Sequence, residues 1–290
     1  MESSKQKFAI TIWVIWVALI IVSCNTLSRE NTVDRYPAVS PDGQYIVYNF
    51  SIINGDAEKY PPEGLYIINI KGTEKNLLHL HGARASWSPD GRQIVTTNGI
   101  YTIKNRMVTD IRPINNDIKP LLFFSWSPDG ITILYNSYDS KVFLCDTFFN
   151  NIRELPFKAE WARWMKDGKN IVCSMRSPQW TGSEICIIDT LGSETFRLTY
   201  NGENKHYHSI APSPDGNMIA FNCSLYTIYV MNSDGTNLRE LDKGMDPTWT
   251  PDSRYIVYSK YQQDNKRWSS NYMWKISVDG KEKIQITNNK

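Results

Sequence analysis

Trp126-Ser127-Pro128-Asp129-Gly130, followed by Ile133-Leu134-Tyr135, is the stretch on which the fold turns. Proline presets φ, the Asp carboxylate accepts from a backbone N–H two residues on, and glycine tolerates positive φ. These residues therefore encode a tight turn. The β-branched and aromatic run behind it reads as a strand leaving a hairpin. The same turn recurs as Ser40-Pro41-Asp42-Gly43, Ser88-Pro89-Asp90-Gly91, Lys166-Asp167-Gly168, Ser213-Pro214-Asp215-Gly216 and Pro251-Asp252-Ser253. Taken at the Pro position (Lys166 in the fourth copy), the copies lie 48, 39, 38, 48 and 37 residues apart, a mean of 42. That is the period of four-stranded propeller blades.

Two residues before the Pro position stands Trp87, Trp126, Trp164 or Trp249, replaced by Val39 and Pro212 in the first and fifth copies. This is a packing position. Second strands follow the turns, as in Tyr45-Ile46-Val47-Tyr48 and Tyr255-Ile256-Val257-Tyr258, and third strands come next, as in Leu65-Tyr66-Ile67-Ile68 and Ile228-Tyr229-Val230-Met231. Asp234-Gly235 and Asp279-Gly280 then turn the chain into fourth strands such as Phe196-Arg197-Leu198-Thr199. Each repeat is one antiparallel sheet, apolar on both faces and unable to stand alone. Six arranged radially bury those faces against one another. The predicted fold is all-β, a six-bladed β-propeller of four-stranded antiparallel blades over residues 36–290.

With these motifs in hand, the repeat resembles the TolB-type β-propeller, a WD40-like Pro-Asp repeat, over about residues 36–287. That resemblance implies the fold. It does not imply one activity, because the repeat occurs in the Tol-system periplasmic protein, in the propellers of prolyl-oligopeptidase-like peptidases and in many lipoproteins. The Tol-system protein carries an α/β domain ahead of its propeller, whereas here residues 24–35 fill that place. The peptidases carry an α/β-hydrolase domain, and the chain contains no Gly-x-Ser-x-Gly.

At the amino end, Lys5 and Lys7 precede an apolar run from Phe8 to Val22 that closes in Ile21-Val22-Ser23-Cys24. This resembles the bacterial lipobox. It implies that residues 1–23 are a signal peptide, that Cys24 receives diacylglycerol, and that 24–35 are a tether to a membrane facing the periplasm or exterior, the outer membrane above the inner. An uncleaved anchor helix or an ordinary signal peptide are the alternatives, but the run falls short of the about 20 residues a bilayer span needs. Export puts the other four cysteines, Cys145, Cys173, Cys186 and Cys223, in an oxidising compartment. Cys173 and Cys186 fall on successive strands, where a disulfide is geometrically open. Small buried apolar residues are the favoured reading for all four.

Lys and Arg number 32 against 30 Asp and Glu, so a net charge of +2 gives no field to gather nucleic acid. If first strands run downward, the Pro-Asp-Gly turns lie on a uniform lower face and the variable loops on an upper one. Loops there carry Tyr60, Arg176, Trp180, Arg267 and Trp268, aromatics beside Arg that suit a sugar ring or a peptide, or that fold back as lids over blade ends. His79-Leu80-His81 and His206-Tyr207-His208 each project alternate histidines to one side, so His81, His206 and His208 are candidate ligands for a divalent metal, against ordinary hydrogen-bonded histidines. Arg84, Arg163, Glu160, His208 and Asp246 fall on or near the first strands around the axis. The leading expectation is a monomeric, non-enzymatic module without a cofactor that binds an envelope protein, peptide or saccharide. The alternative is a metal-dependent carbohydrate lyase or hydrolase on the histidines. Replacing Cys24 by Ser is expected to abolish the acyl mass increment and move the chain from the membrane pellet to the soluble fraction; an unchanged distribution would refute the anchor.

Overall fold

The computed structural model describes residues 31–54, 57–114, 121–176, 182–193, 195–200, 205–223, 226–264 and 267–288. Among them, four sheets have four antiparallel strands, and an eight-stranded sheet contains the first and last blades. Blade 4 is typical: Glu160–Trp164, Asn170–Arg176, Ser183–Asp189 and Thr195–Arg197 pair in sequence order. The six first strands contact one another in ring order, that of blade 6 against that of blade 1, and so surround a central channel. The fold is the predicted six-bladed propeller.

Six apolar clusters among the described residues each span two successive blades. Leu134 and Val142 of blade 3, for example, pack on Trp164 and Ile171 of blade 4, and Tyr48 and Phe50 of blade 1 on Val257 and Met273 of blade 6. Each such side chain gains about 1.5–3 kcal/mol by leaving water, but only against a neighbouring blade. The four cysteines are buried free thiols. Cys173 and Cys186 sit directly opposite across two strands, and burial pushes the Cys145 and Cys186 thiols up to about 12.

The turn works as its residues require. In blade 1 the Ser40 hydroxyl donates to Asp42 Oδ1 at 2.5 Å, the Gln44 N–H donates to the same oxygen, and the Tyr45 N–H donates back to Ser40 Oγ. Thr250 takes the serine's place in blade 6, where Ser253 holds φ at +57° in the glycine's position. Gly43 has φ of +71°, and a Cβ there would meet the ring of Pro251 at 3.4 Å. The turns therefore pack against one another around the lower face. The tryptophans do more than fill space: the indole N–H of Trp87, Trp126 and Trp249 donates to the carbonyl of Ala38, Ser86 and Ala211, each on the preceding blade.

A second set of clamps joins blades in pairs. The Asn49 amide donates to Gly82 O and accepts from the Arg84 N–H; Asn136 does the same with Ala159 O and Ala162 N, and Asn222 with Gly244 O and Asp246 N. Each asparagine follows the aromatic of its second strand, as in Tyr48-Asn49, and grips the next blade where its first strand begins.

The structure extends the strands beyond the sequence reading in three places. The first strand begins at Asn31, inside the stretch 24–35 read above as tether, because residues 31–35 pair with the second strand, and Val33 also pairs in parallel with Asn271 of blade 6. The stretch that carries Arg267 and Trp268, read above as a loop, continues the hairpin as strands Tyr255–Asp264 and Arg267–Ser277. Likewise the strand Tyr45–Asn54 runs on toward the loop that carries Tyr60, with a short 3-10 turn at Ala57–Lys59. Both long hairpins flank the seam where the ring closes. There the carboxylate of Asp34 accepts from Thr287 Oγ1, its backbone carbonyl accepts from Ser259 Oγ, and Arg35 Nε donates to Asp246 at 2.7 Å.

Asn136→Ala leaves a buried carbonyl and a buried N–H without partners, so it is expected to cost about 2–5 kcal/mol in urea unfolding. Asn217→Ala, on an exposed turn, is expected to stay within about 0.5 kcal/mol.

Candidate functional site

First strands descend from the upper face to the Pro-Asp-Gly turns, and five residues before each turn Pro stands a residue that does not repeat: Tyr36, Arg84, Phe123, Trp161, Ser209 and Asp246 in blades 1 to 6. All six line the channel. Five of them, all but Phe123, hold positive φ between +50° and +56°. Strand registers shift at the same place in blades 1, 4, 5 and 6, marking β-bulges. A non-glycine residue in this conformation costs about 1–2 kcal/mol, and a bulge re-aims a side chain. Here the re-aimed side chains meet at the channel mouth. The asparagine clamps from blades 1, 3 and 5 hold the backbone at or beside the strained residues of blades 2, 4 and 6, which offsets the strain there.

Contacts run round the mouth from blade to blade. The Arg35 and Arg84 guanidiniums lie 4.8 and 4.9 Å from the Tyr36 ring, and Arg84 also lies 4.3 Å from Phe123. Phe123 meets Trp161 at 3.6 Å between ring centroids, and Trp161 meets the edge of His208 at 6.0 Å. Ser209 Oγ donates to Asp246 at 3.0 Å, and Asp246 returns to Arg35. The girdle therefore closes. Two layers below, where the other blades place Ala38, Ser86, Ser125, Ala211 and Thr248, blade 4 places Arg163. Burial, with repulsion from Arg84 added, lowers the Arg163 pKa to about 10. The channel holds about 490 Å³, within the range of small-ligand cavities.

Of the candidates read from sequence, Arg84, Arg163 and Asp246 come together here. Tyr60 instead packs against the apolar cluster between blades 1 and 6, which fits the lid alternative, and Arg176 is exposed with Glu160 at 3.4 Å. Trp180 and Cys24 lie outside the described residues; Arg267 and Trp268 pair near the tip of the blade 6 hairpin. His79 and His81 form one pair, 5.7 Å between ring centroids, and His206 and His208 another, 6.4 Å apart. Among the described residues no three His, Cys, Asp or Glu side chains converge as a metal site would require. Sequence reading missed Tyr36, Phe123, Trp161 and Ser209. Aligning the six copies on the turn Pro exposes them as a column of unlike residues between repeating ones.

Comparison with solved structures yields putative TolB from Agrobacterium tumefaciens, with a TM-score of 0.58 at 20% identity over 76% of this chain and 87% of that one. The fold is that of the TolB-like propeller. TolB from Acinetobacter baumannii also matches at a TM-score of 0.58, with 18% identity over 88% of this chain and 63% of its own. So does an oligogalacturonate lyase in complex with manganese, at 0.57 and 9% identity over 89% and 78%. No family model and no curated protein matches the chain. Within this TolB-like propeller no described helix is long and apolar enough to cross a membrane.

His208 carries a testable signature of the mouth. Burial, joined by the charges of His206 and Arg176, outweighs Glu160 and lowers its pKa below 6.5. Between 6.5 and the lowered native value the unfolded chain takes up a proton that the native one refuses. Stability therefore falls as pH drops through that window and levels off below it. NMR titration of the His208 ring should show a midpoint below 6.5, and His208→Gln should flatten that part of the stability profile; a midpoint above 6.5 would contradict the burial.

Proposed function

We propose that this chain is a lipid-anchored binding module of the bacterial cell envelope that holds a protein or peptide partner across its channel mouth. The observation that carries the reading is the girdle: one position in six otherwise repeating strands bears Tyr36, Arg84, Phe123, Trp161, Ser209 and Asp246, five in strained backbone. A scaffold that needed only packing would repeat residues there as it repeats Trp and Asp elsewhere. Aromatic and Arg side chains set in a recess are the groups that dominate protein interfaces. The likeness to TolB and the lipobox-like leader support placing the module in the envelope.

Photo-crosslinking residues substituted at Arg176, beside the mouth, and at Arg92 and Lys281, on lower turns, discriminate the faces. A discrete adduct from intact cells at the first position and none at the other two is the expected pattern. Adducts confined to the lower positions would overturn it. The competing reading, metal-dependent carbohydrate cleavage, draws on the His206–His208 pair and the likeness to the lyase. Stoichiometric metal in the purified chain, lost on combined His206→Ala and His208→Ala substitution, would replace the binding reading.

A further inference from the structure

Among the described residues of the channel wall, Arg163 is the cation whose charge no carboxylate meets. Asp246, the carboxylate in its wall, is already engaged by Arg35 at 2.7 Å and by the Ser209 hydroxyl at 3.0 Å. Glu160, at the rim, faces Arg176. Arg163 donates to the carbonyl of Ala162, its own neighbour, at 2.9 Å and has no carboxylate partner among the described residues. Its guanidinium and that of Arg84, both half-buried, lie over the same Phe123 ring, at 5.6 and 4.3 Å, so two cations converge on one wall of the channel. Drawing a cation partly out of water without a counter-charge is costly, so Arg163 is a group placed to receive an anion.

We propose that the channel binds a small organic monocarboxylate, its carboxylate held by Arg84 and Arg163 and its planar apolar body laid against Phe123 and Trp161. The planar guanidinium fork matches a carboxylate in bidentate geometry. One guanidinium lacking a carboxylate asks for one negative charge, which favours a carboxylate over a dianionic phosphate. The aromatic wall takes an apolar body rather than a hydrated one. The cavity of about 490 Å³ has room for such a molecule. The site shares Arg84, Phe123 and Trp161 with the mouth girdle and adds Arg163 beneath it; its test needs no protein partner, so the two readings fail separately.

The test titrates the purified chain with phenylacetate, phenylacetamide, inorganic phosphate and the dipeptide Gly-Phe, read by isothermal titration and by the emission of Trp161 against a Trp161→Phe control. Saturable binding of phenylacetate, with the amide and phosphate at least tenfold weaker, is the expected result. Equal binding of the amide, preference for phosphate, or no saturation by any probe would overturn the proposal. Tighter binding of Gly-Phe than of phenylacetate would assign the site to a peptide carboxyl terminus and overturn the small-molecule source. Arg163→Met should raise the unfolding midpoint of the ligand-free chain and weaken phenylacetate at least tenfold. A lowered midpoint with unchanged binding would make Arg163 a structural group instead. Should Arg163→Met fail to fold, Arg163→Lys keeps the charge and loses the fork; it should weaken phenylacetate about tenfold, and unchanged affinity would overturn the proposal.

Discussion

No blade of this protein has a face that water can be allowed to touch, and everything else follows from that. Among the described residues, six clusters of aliphatic and aromatic side chains lie between blades and none within one, so a sheet gains its burial by leaning on two neighbours. An open ring would leave two faces wet. Closure between blades 6 and 1 is therefore a condition of stability, and it concentrates the buried polar groups Asp34, Ser259, Asn271 and Thr287 at one seam. Hydrogen bonds there supply a directional register that the apolar contacts lack.

Much of this was legible in the chain because repetition multiplies weak signals. A single Ser-Pro-Asp-Gly is only a turn; six in phase fix blade number, strand direction and which ends face up. The tryptophans were legible as packing residues, but their indole bonds to the preceding blade were not, since the acceptors are carbonyls that any residue supplies. The seam was hidden for another reason. Pairing of Val33 with Asn271 of blade 6 joins segments more than 200 positions apart and leaves no local pattern. Hairpin lengthening past Lys260 was obscured because Gln262, Gln263 and Asp264 carry no apolar alternation, and their partner strand rather than their own propensity holds them extended.

The channel wall was half legible. Arg84, Arg163 and Asp246 were marked by being charged on strands that ring an axis. Tyr36, Phe123 and Trp161 read as ordinary strand aromatics, and at Tyr36 and Trp161 a bulge re-aims the side chain inward. A bulge depends on left-handed backbone at one residue, and nothing about Tyr, Trp or Asp as residue types announces it. In blades 2, 4 and 6 it is braced across the blade interface by asparagines, so the conformation of those blades is partly written in blades 1, 3 and 5.

The direction of the first strand bears on how the molecule stands. Because that strand descends from Asn31 toward the lower turns, any leader ahead of it departs from the rim of the channel and not from the smooth underside. With the proposed acyl group on Cys24, seven residues at no more than about 3.6 Å each would moor the rim within roughly 25 Å of the lipid. The opening would then look toward the bilayer across a shallow gap, admitting thin or membrane-embedded visitors and turning the even lower surface outward.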